Sequence, residues 1–398
     1  MRESPHPTHG LPTAFIYEDI GLSSRIIQFG TSRFLQAHAA LFVHEAQQSG
    51  QDIGPIAVVQ VSGASSRSGR VAAFGDPQGY PVIIRGMSDG QPLNRTIQVT
   101  SVDRGLSAVE HWKELSKLFA EDAEFVVSNT GDTGYQTWPE EDRFGSNDDV
   151  PRSFPAKLAA LLVQRWQASA RPLVILPCEL ITGNGRVLKQ AVVDCARLNN
   201  VAAGFYDWLD EHVAFAETLV DRIVSEPIEP IGAVAEPYAL WAIKRAPGVR
   251  APCQHPSIVL TDDLEPYERL KLHILNLGHT FLAEIWQREG RPADETVRAI
   301  LADKNIRTRL DTLYESEVLP GFAANGMGDE AKAYVATTLD RFRNPFLDHR
   351  ISDISQHHPE KVARRIRAFL DWTTDKAGST GMPVLRQIVA RYSFAQLT

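Results

Sequence analysis

Arg25-Ile-Ile-Gln-Phe-Gly30-Thr-Ser-Arg-Phe34 decides the fold class, because it combines a short apolar strand with a glycine turn that leads into a helix. Apolar residues in the following stretch, 34–47, recur at helical spacing. Two further apolar segments, 56–61 and 124–129, also run into turns rich in Gly, Ser and Thr. Strands that alternate with helices predict a parallel sheet covered by helices on both faces.

The same alternation continues through the first half of the chain. Helical spacing recurs at 106–119 and 154–166, and another buried strand is predicted at 171–176. From about residue 226, six prolines mark a linking stretch. This change in composition indicates a domain boundary.

Helical patterns dominate beyond the linking stretch, with a first long helix predicted at 264–288 and a late one at 359–374. A length of 398 residues suits two domains. We therefore expect an α/β protein with an N-terminal Rossmann-like parallel-sheet domain and a C-terminal, mainly α-helical substrate-binding domain. The predicted boundaries are 1–228 and 229–398.

Composition places the chain among ordinary soluble globular proteins. It is 43% hydrophobic and 23% charged, and its net charge of -8 disfavours a general nucleic-acid-binding role. No apolar run is long enough for a membrane-spanning helix, and the first ten residues lack the pattern of a secretory signal. We expect neither a nucleic-acid nor a membrane partner.

The cysteines and histidines show no recognisable metal or disulfide pattern. Cys178, Cys195 and Cys253 are odd in number and lack CxxC spacing, which disfavours both a disulfide framework and a zinc cluster. Twelve histidines occur without an HExxH motif. We therefore expect a cytoplasmic protein with no metal site.

The turn after the first strand is a candidate phosphate-binding site. In doubly wound sheets, backbone N–H groups at such a junction receive the phosphates of a dinucleotide. The candidate cofactor residues here are Phe29, Gly30, Thr31, Ser32, Arg33 and Phe34. Because the turn has one glycine where the usual fingerprint has three, a plain strand-to-helix turn is the alternative interpretation.

The end of the second strand bears on the choice between NAD and NADP. A carboxylate normally accepts there from the adenosine ribose hydroxyls of NAD. This chain instead has uncharged or basic residues in that stretch: Gln60, Ser62, Ser65, Ser66 and Arg67. NAD is the expected cofactor, and NADP is not excluded.

Four polar residues fall on one side of the predicted helix at 264–288. Counted from Lys271, Glu268, Asn276 and His279 lie within about 140° at ideal helical spacing. In a dry cleft, desolvation disfavours the charged form of a lysine and makes it a competent proton donor or acceptor. An asparagine can donate to an oxygen that gains negative charge. The alternative is a surface ion pair of Glu268 with Lys271 and an interface histidine.

Lys271, Asn276 and His279, with their spacing, resemble the signature of the polyol-specific long-chain dehydrogenases, the family of mannitol 2-dehydrogenase, fructuronate reductase and tagaturonate reductase. Four other segments resemble the family in the same order along the chain: 27–38, Ser128-Asn129-Thr130, 218–224 and 341–345. The resemblance therefore covers nearly the whole chain.

The resemblance implies a role for each matching residue. Lys271 would be the general acid or base, Asn276 an oxyanion-type donor, and Glu268 a gate for water or protons. His279, Asp221 and Arg341 would contact the substrate. Ser128, Asn129 and Thr130 would lie beside the nicotinamide ribose.

One departure from the family pattern limits the class of substrate that the resemblance implies. Polyol-specific members have an asparagine donor where this chain has Leu180, in Cys178-Glu179-Leu180. This segment and Phe342-Arg343-Asn344-Pro345 are closer to the tagaturonate reductases. A keto hexuronate needs a cationic partner for its carboxylate, and Arg343 or His349 is the candidate.

The sequence thus predicts an NAD(P)-dependent, metal-independent enzyme that interconverts a keto sugar acid, such as tagaturonate or fructuronate, and its hydroxy acid. A polyol or polyol-phosphate dehydrogenase, of the mannitol 2-dehydrogenase or mannitol-1-phosphate dehydrogenase type, is the alternative. A non-catalytic sugar-acid or dinucleotide sensor is an alternative of another class. The expected partner is a small sugar acid or polyol, and the expected assembly is a monomer or homodimer.

Overall fold

A computed structural model describes residues 25–63, 68–131, 133–146, 149–374 and 381–393. Two expectations lie outside these residues. One is the lack of a secretory signal at the N-terminus, and the other concerns the side chains Ser65, Ser66 and Arg67 in the choice of cofactor.

Strands and helices are mixed up to Thr261, with consecutive strands at 80–107 and 213–261, and the described chain is helical beyond it. The strands are β1 (Arg25–Phe29), β2 (Ile56–Gln60), β3 (Tyr80–Ser88), β4 (Gln91–Val99), β5 (Val102–Ser107), β6 (Ala123–Ser128), β7 (Leu173–Pro177), β8 (Val213–Phe215), β9 (Thr218–Asp221), β10 (Val224–Pro227), β11 (Ala233–Ala235), β12 (Leu240–Lys244) and β13 (Ile258–Thr261). The helices are α1 (Arg33–Gln36), α2 (Ala39–Gln48), α3 (Ser68–Ala73), α4 (Trp112–Glu121), α5 (Phe154–Ala168), α6 (Asn184–Leu198), α7 (Gly204–His212), α8 (Glu265–Leu270), α9 (Asn276–Glu289), α10 (Val297–Ile300), α11 (Lys304–Leu313), α12 (Leu319–Ala324), α13 (Gly328–Phe342), α14 (Ile351–Ser355), α15 (His358–Val362), α16 (Ala368–Thr374) and α17 (Pro383–Ser393).

A six-stranded parallel sheet forms the centre of the N-terminal region. Its strands lie in the order β5-β2-β1-β6-β7-β8, and each neighbouring pair is parallel. Numbered along the chain within the sheet, this is the 3-2-1-4-5-6 order of doubly wound dinucleotide-binding folds. The predicted α/β class with a Rossmann-like domain is confirmed.

Helices cover both faces of this sheet, because alternate residues of each strand point to opposite sides. Ile26 packs into the apolar cluster that contains α2, whereas Ile27 and Phe29 pack into the cluster formed with α4 and α5. All three side chains are buried. Both faces are therefore hydrophobic, as the continuous apolar strand patterns indicate.

Two of the predicted helices differ from the observed ones. The helix expected at 34–47 is interrupted between α1 and α2, where His38 has a non-helical backbone and its ring is buried against Phe34 and Phe42. The helix expected at 106–119 begins only at Trp112, because Leu106 still pairs with β2 in the sheet. Tertiary burial and strand pairing override the local periodicity in both places. The predicted helix at 154–166 corresponds to α5, and the predicted strand at 171–176 to β7.

The proline-marked stretch contributes strands. A four-stranded sheet has the order β10-β11-β3-β4, and a three-stranded sheet has the order β13-β12-β9. Helices begin at Glu265, close to the predicted start at Leu264, and the strands formed by the proline-marked stretch itself were not predicted. The division between residues 228 and 229, which falls between the paired strands β10 and β11, stays a prediction.

The C-terminal helices share one apolar core, which includes Ile274, Phe281, Phe322 and Phe369. Three helices of this region contain a π-helical segment, at Lys271–Leu275, Tyr314–Val318 and Ala363–Arg367. The first joins α8 to α9 and the third joins α15 to α16. These two joined helices match the ones predicted at 264–288 and 359–374.

Candidate active site

A cleft of about 700 Å³ opens beside the carboxyl ends of β1, β2 and β6. The strand order reverses between β1 and β6, so the cleft lies at the switch point where doubly wound folds bind a dinucleotide. Six predicted cofactor residues line it: Gly30, Thr31, Ser32, Ser62, Asn129 and Thr130.

The other four predicted cofactor residues do not line this cleft. Phe29 and Ser128 are buried at the ends of their strands, beneath the turns that line it. Arg33 is exposed, and Phe34 stacks on the ring of His38 with centroids 4.6 Å apart. The structure therefore gives Phe29 and Ser128 a supporting position, and direct contact of these four residues with the cofactor stays a prediction.

Gly30 gives the turn after β1 its shape. Its φ is +117°, and a Cβ at this position would overlap the carbonyl oxygen of Asn129. Two turns of the cleft can therefore lie side by side only because this residue has no side chain. Ser32 then caps α1 by accepting from the backbone N–H of Leu35 at 3.4 Å. A bare backbone beside a strand end fits the phosphates of a dinucleotide.

Glu179 holds the turn after β6, which lines the cleft next to Gly30, a role that the sequence did not indicate. Its buried carboxylate accepts from the hydroxyls of Ser128 and Tyr135, at 3.0 and 2.9 Å. It also accepts from the backbone N–H and the hydroxyl of Thr130, both at 3.1 Å. These bonds fix the turn after β6 against the end of β7. Leu180, the departure noted in the sequence, is 77% exposed.

Asn184 joins the end of β7 to β9. Its side-chain amide donates to the carbonyl oxygens of Pro177, Glu179 and Thr218 at 3.0 to 3.2 Å. Thr218 begins β9, and Asp221 ends it. The end of β7 beside the cleft is therefore connected by buried hydrogen bonds to the strand that carries Asp221.

Lys271 meets the carboxyl end of this strand. Its Nζ donates to the backbone carbonyl of Val220 at 3.1 Å and lies 3.3 Å from Oδ1 of Asp221. The lysine side chain is 25% exposed, so it is neither dry nor directed into bulk solvent. The sequence suggested Glu268 as its partner, but the carboxylate that pairs with Lys271 in the structure is Asp221, at the end of β9.

A π-helical segment determines which residues accompany Lys271. The backbone N–H of Asn276 donates to the carbonyl of Lys271, a bond between residues i and i+5. In a regular α-helix these two side chains would be about 140° apart. One π turn brings residues i and i+5 to the same side of the helix, as often occurs at functional sites. The π turn therefore reduces the angle between Lys271 and Asn276 around the helix, a distortion that regular periodicity does not predict.

Asp221 belongs to a buried ionic network. Arg341 donates to both oxygens of Asp221, at 2.9 and 3.2 Å, and to both oxygens of Glu236, at 3.0 and 2.9 Å. Tyr334 donates to Asp221 at 3.0 Å. Burial alone would raise the pKa of Asp221, but the charges of Arg341 and Lys271 outweigh it and lower the pKa to about 2. Asp221 is thus a carboxylate at neutral pH.

Arg341 differs from its expected role as a substrate contact. Its side chain is 3% exposed, and all three guanidinium nitrogens already donate to Asp221, Glu236 or Tyr334. A group without access or free donors is suited to positioning its neighbours. Direct contact of Asp221 with a substrate stays a prediction, since one of its oxygens already faces Lys271.

His279 and His349 form a neutral pair beside this network. Their ring centroids are 5.0 Å apart, and the ring of His279 also lies 4.5 Å from that of Phe342. Burial lowers the pKa of both histidines, and for His279 the nearby cations lower it further. His349 is therefore a weak candidate for binding a carboxylate by charge.

Glu268 and Arg343 lie at the edges of the predicted site. Glu268 is half-buried on α8, and burial together with the charges of Glu265 and Asp263 raises its pKa. A carboxyl group with a raised pKa suits proton exchange with water. Arg343 follows the last residue of α13 and is half-buried. The roles of both residues stay predictions.

Two basic residues that the sequence analysis missed approach the site from the third π-containing helix. Arg365 donates to the carbonyl of Asn276 at 3.3 Å and to the hydroxyl of Thr280 at 3.1 Å. Burial lowers the pKa of Arg365 to about 10, so it stays charged at neutral pH. Lys361, one turn earlier, also contributes positive charge at His279. Their spacing of four residues on a predicted helix was the available signal.

Comparison with known proteins agrees with this geometry. A family model described as the mannitol dehydrogenase Rossmann domain matches residues 24–252, and one described as the mannitol dehydrogenase C-terminal domain matches residues 263–394. The chain belongs to the mannitol dehydrogenase family. It is accordingly a dehydrogenase or reductase that acts on a secondary alcohol or ketone with NAD.

Individual relatives and solved structures extend the comparison. An altronate oxidoreductase of Halalkalibacterium halodurans is 31% identical over 90% of this chain and 73% of its own length. One of Bacillus subtilis is 31% identical over 86% of this chain and 73% of its own length. The fold is that of a D-sorbitol dehydrogenase, with a TM-score of 0.70, 16% identity and coverage of 88% and 77% of the two chains. A Pseudomonas fluorescens mannitol 2-dehydrogenase in complex with NAD and D-mannitol has a TM-score of 0.67, 20% identity and coverage of 95% and 80%.

The described residues lack both a metal cluster and a membrane-spanning helix. They contain no cluster of three or more His, Cys, Asp or Glu residues arranged to hold a metal ion. Among the same residues, no helix has both the length and the apolar character needed to cross a bilayer.

Proposed function

We propose that this enzyme interconverts a keto hexuronate of the tagaturonate type and its hydroxy acid, altronate. The observation that carries the proposal is the position of Lys271. Its ammonium lies at the carboxyl end of β9, its backbone carbonyl accepts from Asn276 across one π turn, and Arg365 contacts the carbonyl of Asn276. The similarity to proteins named altronate oxidoreductase supports the same class of substrate.

Lys271, Asn276 and Asp221 have different roles in the proposed proton transfer. When bound, NADH supplies the hydride that reduces the carbonyl carbon. Lys271 gives a proton to the carbonyl oxygen, while the side-chain amide of Asn276 donates a hydrogen bond to the same oxygen. Asp221 and the carbonyl of Val220 keep the ammonium in place before transfer. In oxidation, Lys271 accepts the hydroxyl proton, and no residue in this scheme needs a metal ion.

Positive charge near Asn276 favours an acid over a neutral polyol. Arg365 contacts the carbonyl of Asn276, and Lys361 lies one helical turn away on the same helix. Asp221, the carboxylate beside Lys271, is already paired with both Lys271 and Arg341. A substrate carboxylate would therefore compensate the charge of Arg365 by a charge-assisted hydrogen bond. Arg365 replaces Arg343 and His349 as our candidate for this contact.

The test is steady-state reduction of tagaturonate, fructuronate, fructose and fructose 6-phosphate, followed by loss of NADH absorbance. We expect kcat/KM to be highest for a hexuronate. Arg365→Gln should raise KM for the hexuronate roughly ten- to a hundredfold and leave KM for fructose nearly unchanged. Arg364→Gln, at an exposed neighbouring position, is the matched control.

Two results would contradict the proposal. A higher kcat/KM for fructose would instead identify a polyol dehydrogenase. Preference for fructose 6-phosphate, with competitive inhibition by inorganic phosphate, would identify the polyol-phosphate type. Either result leaves the role of Lys271 to be tested separately.

We also propose that the enzyme acts in the cytoplasm. Cys178, Cys195 and Cys253 are free and buried thiols, as is usual in a reducing compartment. Assembly as a monomer or a homodimer stays a prediction, and the sedimentation coefficient of the purified protein would decide between them.

A further inference from the structure

Among the described residues, the adenosine side of the cofactor cleft lacks the carboxylate that usually favours NAD over NADP. β2 ends at Gln60, whose side-chain amide donates to the carbonyl of Ser62 at 2.8 Å and so shapes the turn that follows. Rossmann-type enzymes that select NAD place a carboxylate near this strand end, where it binds the ribose hydroxyls and repels a 2′-phosphate. None of the described residues that line the cleft is acidic. Nothing among them would repel a phosphate.

The same cleft has an excess of positive charge. Its described lining includes Arg70, Arg152 and Lys157. Arg152 is already paired with Glu141, and Lys157 donates to the backbone carbonyl of Arg152. These two side chains therefore already have partners within the protein.

Arg70 differs from Arg152 and Lys157 in its hydrogen bonding. It lies on α3, which follows β2, and it shares the cleft wall with Ser62, Gly63 and Val109. Its Nε is buried and has no hydrogen-bond acceptor in the described part of the chain. A buried donor without a partner costs free energy unless a ligand supplies the acceptor.

We infer that this cleft accepts NADP(H) as well as NAD(H), with the guanidinium of Arg70 and the hydroxyl of Ser62 binding the 2′-phosphate. A phosphate monoester presents several acceptor oxygens to a guanidinium, which is the geometry that arginine binds best. Ser62 is exposed at the strand end and supplies a neutral donor beside it. NAD(H) still binds, because its ribose hydroxyls need only polar neighbours.

The experiment measures binding of NADPH and of NADH to the purified full chain by the change in nicotinamide fluorescence, with no substrate present. We expect both cofactors to bind. Arg70→Gln should weaken NADPH binding roughly ten- to a hundredfold and leave NADH binding nearly unchanged. Ser62→Asp should also weaken NADPH selectively, because it restores a negative charge at the strand end. Increasing ionic strength should weaken NADPH binding more than NADH binding.

Arg104→Gln is the matched control, because this arginine pairs with Asp103 and Glu114 outside the cleft. It should change neither affinity. The inference is overturned if NADPH fails to bind at concentrations where NADH saturates, or if Arg70→Gln weakens both cofactors equally. Should Arg70→Gln fail to fold, unchanged NADPH affinity in Ser62→Asp would overturn it. Because no substrate is used, these results are independent of the substrate proposed above.

Discussion

The Nζ of Lys271 lies 3.3 Å from Oδ1 of Asp221, and the two residues come from different parts of the chain. Lys271 begins the π-helical segment between α8 and α9, whereas Asp221 ends β9. The same carboxylate also binds Arg341. The proton-transfer residue that we propose is therefore held at the strand end by a carboxylate that is itself fixed in a buried network.

Replacing Lys271 tests its assignment as the general acid or base. Lys271→Ala should lower kcat by roughly two to four powers of ten, because the reacting oxygen loses its proton donor. The dissociation constant for NADH should change little, since Lys271 does not line the cofactor cleft. Steady-state kinetics and a fluorescence titration measure the two quantities. Lys244→Ala, which removes a surface lysine paired with Glu217, is the control. Near-normal turnover in Lys271→Ala would refute the assignment.

Replacing Asp221 tests the coupling between the ionic network and proton transfer. Asp221→Asn should lower the free energy of unfolding by on the order of 3 kcal/mol, because Arg341 loses a buried counter-charge. Asp221 also holds the ammonium of Lys271 at the strand end. In the variant, kcat should therefore fall roughly ten- to a hundredfold, while the dissociation constant for NADH changes little.

Glu236→Gln provides the control for the preceding prediction. It removes the other carboxylate that binds Arg341, and that carboxylate is not the one paired with Lys271. This variant should also lose stability in denaturant unfolding, but its kcat should stay close to that of the wild type. An equal loss of kcat in both variants would mean that Asp221 acts only through Arg341.

Replacing Gly30 tests whether NADH binding needs the close approach of the turns at Gly30 and Asn129. Gly30→Ala places a Cβ against the carbonyl oxygen of Asn129 and should separate the two turns that form the cleft. We expect NADH binding to weaken roughly tenfold or more. Gly50→Ala separates this overlap from backbone strain, because Gly50 also has positive φ but has open space at its Cβ. It should cost about 1 kcal/mol of stability and leave NADH affinity unchanged.

Local sequence patterns predicted the parts of the fold that depend on short stretches of chain. The strand, turn and helix around Gly30 followed from apolar runs bounded by turn residues, and six of the proposed cofactor residues line the cleft. The helix around Lys271 followed from its apolar spacing. In both cases the residues that form the buried face are close in sequence, so their spacing predicts the element.

Features that depend on distant residues could not be predicted in this way. Lys271 and Asp221 meet across fifty positions of the chain, and Glu179 gathers donors from a turn about as far away. The π turn before Asn276 changes the angular spacing that a regular helix would give. Tertiary packing decides these contacts, and a single sequence contains no periodic signal for them.

Glu284 allows a test of stability against pH in the helical region. Its buried carboxylate accepts from His358 at 3.1 Å, from Tyr392 at 2.6 Å and from Arg391. Burial alone would raise the pKa of Glu284, but these hydrogen bonds lower it to about 2. The ordinary value in an unfolded chain is about 4.3.

Because the folded pKa is depressed, this carboxylate stabilises the protein above pH of about 4.3, and the stabilisation is lost as pH falls towards about 2. Glu284→Gln should therefore lower the free energy of urea unfolding by about 2 kcal/mol at neutral pH, with a difference from wild type that shrinks steadily in acid. Glu226→Gln, which breaks an exposed ion pair with Arg85, should have almost no effect at any pH. A constant difference between Glu284→Gln and wild type across this range would show that Glu284 stabilises α17 through packing alone, without its charge.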